Sequence, residues 1–196
     1  MFEEPTAPKP TERRSLFFGA LTGRTDAEVT GKSGNVAGML RTLYSRPDGK
    51  ISSKDAAKDL GVSQRTIQRW VKGEQAPKAG NLGKLNTAAR RAATTKAGRR
   101  KAVQSQKHSR LAQRGARLTI RGNQGVPGSN RHGDSYTRFR SASLQLTPVE
   151  FQDLLDAYAE HGDTGLQQYL QNEYTNKYGA GTWNVNFISE LELHDL

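Results

Sequence analysis

Apolar positions recur along this chain at the three- and four-residue spacing of amphipathic helices, and near the C-terminus they alternate as in strands. Val36, Met39, Leu40 and Leu43 form one stripe, opened at Asn35 and ended by Pro47-Asp48-Gly49. Ser52 or Ser53 then starts a short helix whose face is Ala56, Ala57 and Leu60. Gly61 can adopt the left-handed conformation that ends it, and Val62 can fill the angle to the next helix. Ser63 caps that helix, with Ile67, Trp70 and Val71 inward and Gly73 at its end. Near the C-terminus, residues 141–146 read as a short strand, and Thr147-Pro148-Val149-Glu150 supplies a capping hydroxyl, a first-turn proline and a third-position acid. Phe151, Leu154, Leu155 and Tyr158 form the stripe of the helix that follows. A turn at Gly162-Asp163-Thr164 precedes a second helix with Leu166, Tyr169, Leu170 and Tyr174 inward, and Trp183, Val185 and Phe187 alternate on a closing strand.

The pattern predicts an α+β chain in five parts. Residues 1–32, with Pro5, Pro8 and Pro10, read as a flexible tail whose Phe17-Phe18 pair clips onto the first helix or docks a partner. Residues 33–78 form a helix-turn-helix module, and 79–114, rich in Ala, Lys, Arg, Gln and Thr, a long basic helix. Residues 115–140, holding Gly115, Gly122, Gly125, Pro127, Gly128 and Gly133, read as a flexible loop. Residues 141–196 make a small strand-helix-helix-strand unit for oligomerisation or partner docking. Its open sheet edge offers a route to a homodimer.

The helix opened by Ser63 turns Gln64, Arg65, Thr66, Gln68 and Arg69 outward. Arg holds guanine and Gln holds adenine in bidentate fashion, and Thr66 can reach a thymine methyl or a phosphate, so this face suits a DNA major groove. Ser63 and Lys72 at its two ends are phosphate contacts. An ordinary helical hairpin with a polar face is the bland alternative.

Charge strengthens the case for a polyanionic partner. The chain carries a formal +11, a pI near 10.1, a mean hydropathy of −0.79 and 34% apolar residues, too lean for one large core. Residues 72–121 hold 14 basic side chains and 1 acid, Glu74, whereas residues 122–196 hold 4 and 10. Arg90, Arg91, Arg99, Arg100, Lys101, Lys107 and Arg110 are therefore predicted phosphate contacts, since such a run repels itself until a nucleic-acid backbone neutralises it. A membrane surface is the weaker alternative, because no segment approaches a transmembrane length and Leu16-Phe17-Phe18-Gly19-Ala20-Leu21 is too short for a signal peptide. A cytoplasmic, nucleoid-associated protein is expected.

The chain has no cysteine, which excludes disulfides and thiolate chemistry. No metal and no cofactor is assigned. His132, Asp134 and Ser135 lie too close in sequence for a triad, and Glu190, Glu192 and Asp195 read as solvated strand-end charge in preference to a metal site. The chain is not expected to be an enzyme. A hydroxyl on a mobile cationic segment can still serve as the acceptor of a nucleotidyl group, with a polymerase supplying the metal ions.

The order of parts resembles the telomere-protecting terminal proteins of linear Streptomyces chromosomes and plasmids. The likeness lies in Leu60-Gly61-Val62-Ser63-Gln64-Arg65-Thr66-Ile67-Gln68-Arg69-Trp70-Val71-Lys72-Gly73, in the Arg/Ala-rich stretch after it, and in Leu144-Gln145-Leu146-Thr147-Pro148, the double helix and the acidic-apolar alternation from Ile188 to Leu196. It spans roughly residues 33–196. The resemblance implies a protein joined covalently to the 5′ ends of linear DNA, whose hydroxyl side chain, a threonine in that family, receives the first deoxynucleotide and primes end-patching. It also implies a telomere-binding partner protein and a DNA polymerase. The family's acceptor falls between the basic helix and the C-terminal strand. Here the candidates there are Thr137 and Ser135, then Ser129, Tyr136 and Thr119. The local sequence departs from the family's in that interval, and the N-terminal segment is longer. The alternatives are a plasmid or phage regulator of transcription or replication bound non-covalently at internal sites, and a nucleoid or RNA-binding protein that uses its basic stretch alone.

Overall fold

Short-range capping signals fix the helices of the first half of the chain. In the computed structural model, which describes residues 5–22, 35–46, 50–103, 111–126, 137–178 and 181–196, the Asn35 side chain accepts from the Gly38 amide at 2.9 Å and starts α2 (Val36–Tyr44). Ser52 caps α3 (Ser53–Leu60), which ends at Gly61 with φ 66°. Ser63 accepts from the Thr66 amide at 3.1 Å to start α4 (Gln64–Lys72), which ends at Gly73 with φ 75°. Positive φ at both ends is where glycine avoids the Cβ clash that other residues incur. Met39, Leu40, Ala56, Ala57, Leu60, Ile67 and Trp70 pack into one core, completed by Leu85 and Ala89 from the next helix.

That next helix corrects the expectation of one basic rod over 79–114. It is α5 (Ala79–Thr94), followed after an extended Thr95 (φ −102°, ψ 149°) by α6 (Lys96–Val103), with residues 111–114 again helical. The Thr95 hydroxyl donates to the Arg91 carbonyl at 2.9 Å and accepts from the Gly98 amide at 3.1 Å, so one side chain ends the first helix and caps the second. At Gly98 a Cβ would lie 2.3 Å from the Arg91 carbonyl oxygen; the elbow requires glycine there.

The tail reading of residues 1–32 is corrected over its middle. Pro10–Thr22 forms helix α1, in which Phe17, Phe18 and Leu21 are fully buried. Phe17 and Leu21 enter the C-terminal core, and Phe18 packs with Ala93 and Ala102 between α5 and α6. The pair is a clip, but onto those helices and the sheet half and not onto α2. Burying rings of this size is worth several kcal/mol, which outweighs the weak intrinsic helicity of the segment.

The glycine-rich loop expected over 115–140 is also corrected. Ala116–Gly125 is strand β1, the centre of a three-stranded antiparallel sheet in the order β2-β1-β3, where β2 is Arg138–Leu146 and β3 is Asn184–Asp195. Ala116, Leu118 and Ile120 alternate inward between polar residues, a period of two that the glycines on either side obscure. Gly122 sits at a register shift against β3, and a Cβ there would fall 2.0 Å from the Phe187 carbonyl oxygen.

Between β2 and β3 runs α7 (Pro148–Tyr178), broken at Gly162 (φ 65°, ψ −143°) where the sequence predicts a turn. Its start is a closed capping box: the Thr147 hydroxyl accepts from the Glu150 amide, and Glu150 Oε2 accepts from the Thr147 amide at 2.7 Å. Phe151, Leu154, Leu155, Tyr158, Leu166, Leu170 and Tyr174 cover the inner sheet face. Side chains of α7 also reach both sheet edges. Tyr178 and Lys177 donate to the Ser143 and Gln145 carbonyls of β2, while Gln167 and Gln171 bond the Val185 carbonyl and amide of β3. Edge pairing with a second copy, expected from the sequence, meets occupied backbone groups at these positions. The architecture is α+β, mostly helical, with helices on one side of the antiparallel sheet.

Candidate nucleic-acid interface

The buried pair Ile67 and Trp70 fixes how α4 rolls against its module, and the remaining side chains follow from that. Gln64, Arg65, Gln68, Arg69 and Lys72 are exposed. Thr66 is half-buried, its hydroxyl 2.9 Å from that of Ser63, so the two form one hydroxyl pair at the helix N-terminus, where backbone amides favour an anion. Arg65, Gln68, Arg69, Lys72 and Glu74 line a recess of about 300 Å³. Glu74 lies 3.9 Å from Arg69 Nε and 3.7 Å from Lys72 Nζ. All three are half exposed or more, so these pairs contribute little to stability but share the charge of the outward face.

The predicted phosphate contacts divide. Arg90, Arg91 and Lys101 are exposed and available to a backbone. Arg99 is not: its Nε donates to the Tyr158 carbonyl at 2.9 Å, Nη2 to those of Ala159 and Glu160 at 3.1 and 3.2 Å, and Nη1 to Thr94 at 3.1 Å. The guanidinium caps the last turn of α7 before its break, over Gly162, and this corrects its assignment to DNA. Arg100 pairs with Glu160, as does Lys96. The hydrogen bond from Lys96, then the charges of Lys96 and Arg100, hold the Glu160 carboxyl below its ordinary value. Lys107 and Arg110 lie outside the described residues.

The hydroxyl candidates divide as well. Ser129, Ser135 and Tyr136 lie outside the described residues, and Thr137 sits just before β2. Thr119 is on the central strand and points to the sheet face that carries no helix. Arg117 and Arg121 flank it on that face, Ser143 is its register partner on β2 and Glu192 on β3. Its hydroxyl lies 2.9 Å from that of Ser143. Arg121 pairs with Glu190 at 3.3 Å, and Glu192 with His194 at 3.2 Å. Among the described residues no group of three or more carboxylates and histidines could hold a metal ion, and no helix is long and apolar enough to cross a membrane. The sequence reading missed Arg117 and Arg121; the alternation of residues 116–121 was the available signal.

Residues 48–88 match a family model described as helix-turn-helix, a span that covers α3, α4 and the first part of α5. No curated protein matches the chain, and no solved structure does. The chain therefore carries a helix-turn-helix DNA-binding domain, joined through α5 and α6 to a sheet-bearing half that the family match does not reach.

Proposed function

We propose that this protein binds the ends of a linear DNA replicon and primes synthesis there, with Thr119 as the acceptor of the first nucleotide. One observation carries the reading: a hydroxyl stands between two arginines on an uncovered polar sheet face, in a chain whose other half is built to read duplex DNA. The resemblance to terminal proteins points the same way. In this reading the Thr119 oxygen attacks the α-phosphate of a deoxynucleoside triphosphate, the bond to the β-phosphate breaks and pyrophosphate leaves. The hydroxyl proton passes to the Glu192 carboxylate, and Arg117 and Arg121 offset phosphate charge. A DNA polymerase supplies the metal ions and a telomere-binding protein the end; the chain itself is acceptor and not enzyme.

The test is incubation with a labelled deoxynucleotide, a host extract and end-fragment DNA, then denaturing electrophoresis and peptide mapping. Label retained by the protein, lost in Thr119→Val and kept in Thr119→Ser, is the expected result. Label mapped to residues 129–137 moves the acceptor to Ser129, Ser135, Tyr136 or Thr137. No label, with footprints confined to internal duplex sites, refutes priming. The helix-turn-helix match itself favours that second reading equally well, a non-covalent regulator of transcription or replication.

A further inference from the structure

The same open sheet face carries a feature that duplex reading does not use. Phe139 on β2 and Phe187 on β3 are both register partners of Asn123 on β1, and their rings lean over the central strand to a centroid distance of 6.4 Å. Neither ring belongs to a hydrophobic core. The Arg121 guanidinium lies over the Phe139 ring at 5.1 Å, and Asn186 donates to Asn123 at 2.7 Å between the aromatic pair. Along β1 the face then runs through Arg121, Thr119 and Arg117, and along β2 through Ser141, Ser143 and Gln145, without a carboxylate. The acids Glu190, which pairs with Arg121 at 3.3 Å, and Glu192 stand on the β3 side. Two partly exposed rings, an arginine lying over one of them, a pair of amides beside them and a basic, hydroxyl-bearing track form the combination by which sheet faces bind unpaired bases. Duplex DNA cannot present its base faces to such a platform.

We propose that this face binds single-stranded DNA, with bases stacked on Phe139 and Phe187 and the backbone held by Arg121 and Arg117. From Asn123 to Arg117 the track is about 20 Å long at strand rise, enough for a few extended nucleotides. The inference stands without the priming role. If that role holds as well, the strand bound here passes Thr119.

The test is fluorescence anisotropy of a labelled oligo(dT) 15-mer with the full chain at fixed salt. Phe139→Ala with Phe187→Ala is expected to weaken binding by about thirtyfold or more, the low end of stacking over two rings. Phe139→Tyr with Phe187→Tyr, which keeps both ring faces, is expected to bind within about threefold of the parent, by the same stacking argument. Duplex binding should be unchanged in both, and far-UV circular dichroism reports whether the alanine variant has kept its fold. Equal oligonucleotide affinity in parent and alanine variants, failure of the parent to bind the oligonucleotide, or an equal loss of duplex binding would overturn the proposal. Thr119→Val separates the two readings, because it should abolish label transfer while oligonucleotide binding persists, weakened by no more than one lost neutral hydrogen bond, about tenfold at most.

Discussion

Replacing Arg99 separates two roles that its sequence context makes look alike. As a phosphate contact it would matter for DNA; as the cap of α7 it matters for folding. Its guanidinium bonds three successive carbonyls, Tyr158, Ala159 and Glu160, as well as Thr94, and lies 5.9 Å from the Tyr158 ring. A hydrogen bond with a charged partner is worth about 1.5–3 kcal/mol net. In Arg99→Ala the freed carbonyls near the helix break regain some water, so the loss should amount to about 2–4 kcal/mol in place of a sum over every bond. For a chain of this size that lowers Tm by about 4–16 °C. Arg99→Lys, a point charge without the fork, should recover less than half. Scanning calorimetry or circular dichroism melts read the first quantity. The dependence of duplex affinity on salt reads the second, and its logarithmic slope should not change. Arg90→Ala should do the opposite, leaving Tm nearly unchanged and reducing the slope by about one. An Arg99→Ala protein with the parent's Tm and a slope reduced by about one would refute the capping argument.

Further outcomes follow from the same geometry. Arg65→Ala and Gln68→Ala should each relax base preference at one position by about 1–3 kcal/mol in a binding-site selection, while affinity for unrelated duplex changes little. Phe17→Ala should cost about 3–5 kcal/mol in denaturant unfolding, because a fully buried ring leaves a cavity; a free tail would show no effect. Burial raises the Glu150 pKa, but the Lys177 hydrogen bond, the Thr147 amide and hydroxyl and the Lys177 charge outweigh it and leave the carboxyl lowered. Its stabilising contribution is therefore complete above the unfolded carboxylate value of about 4.3 and fades as pH falls through the lower folded value. Glu150→Gln should be less stable than the parent at pH 7, and urea titrations should show the gap closing in acid.

The helix-turn-helix was legible because each of its signals is local. Ser63, Gly61 and Gly73 act within a turn of where they stand, and Ile67 and Trp70 set the outward face by spacing alone. The capping box at Thr147 and the break at Gly162 were legible for the same reason. β1 was not, because its pairing partners include a strand some seventy residues later, and no local signal tells six alternating residues before Gly122 that they will be flanked on both sides. The role of Arg99 was hidden likewise, since the carbonyls it caps belong to a helix that starts at Pro148. The three early prolines suggested disorder, yet Phe17, Phe18 and Leu21 find their partners only in elements formed far downstream.

The side chains with which α7 occupies the two sheet edges have a consequence for life at high local concentration. A protein gathered in many copies on one stretch of DNA exposes every copy's strands to its neighbours, and bare edges would zip such copies into irreversible cross-strand assemblies. Tyr178, Lys177, Gln167 and Gln171 answer edge amides and carbonyls from within the same chain, so crowding on DNA does not offer those groups to another molecule.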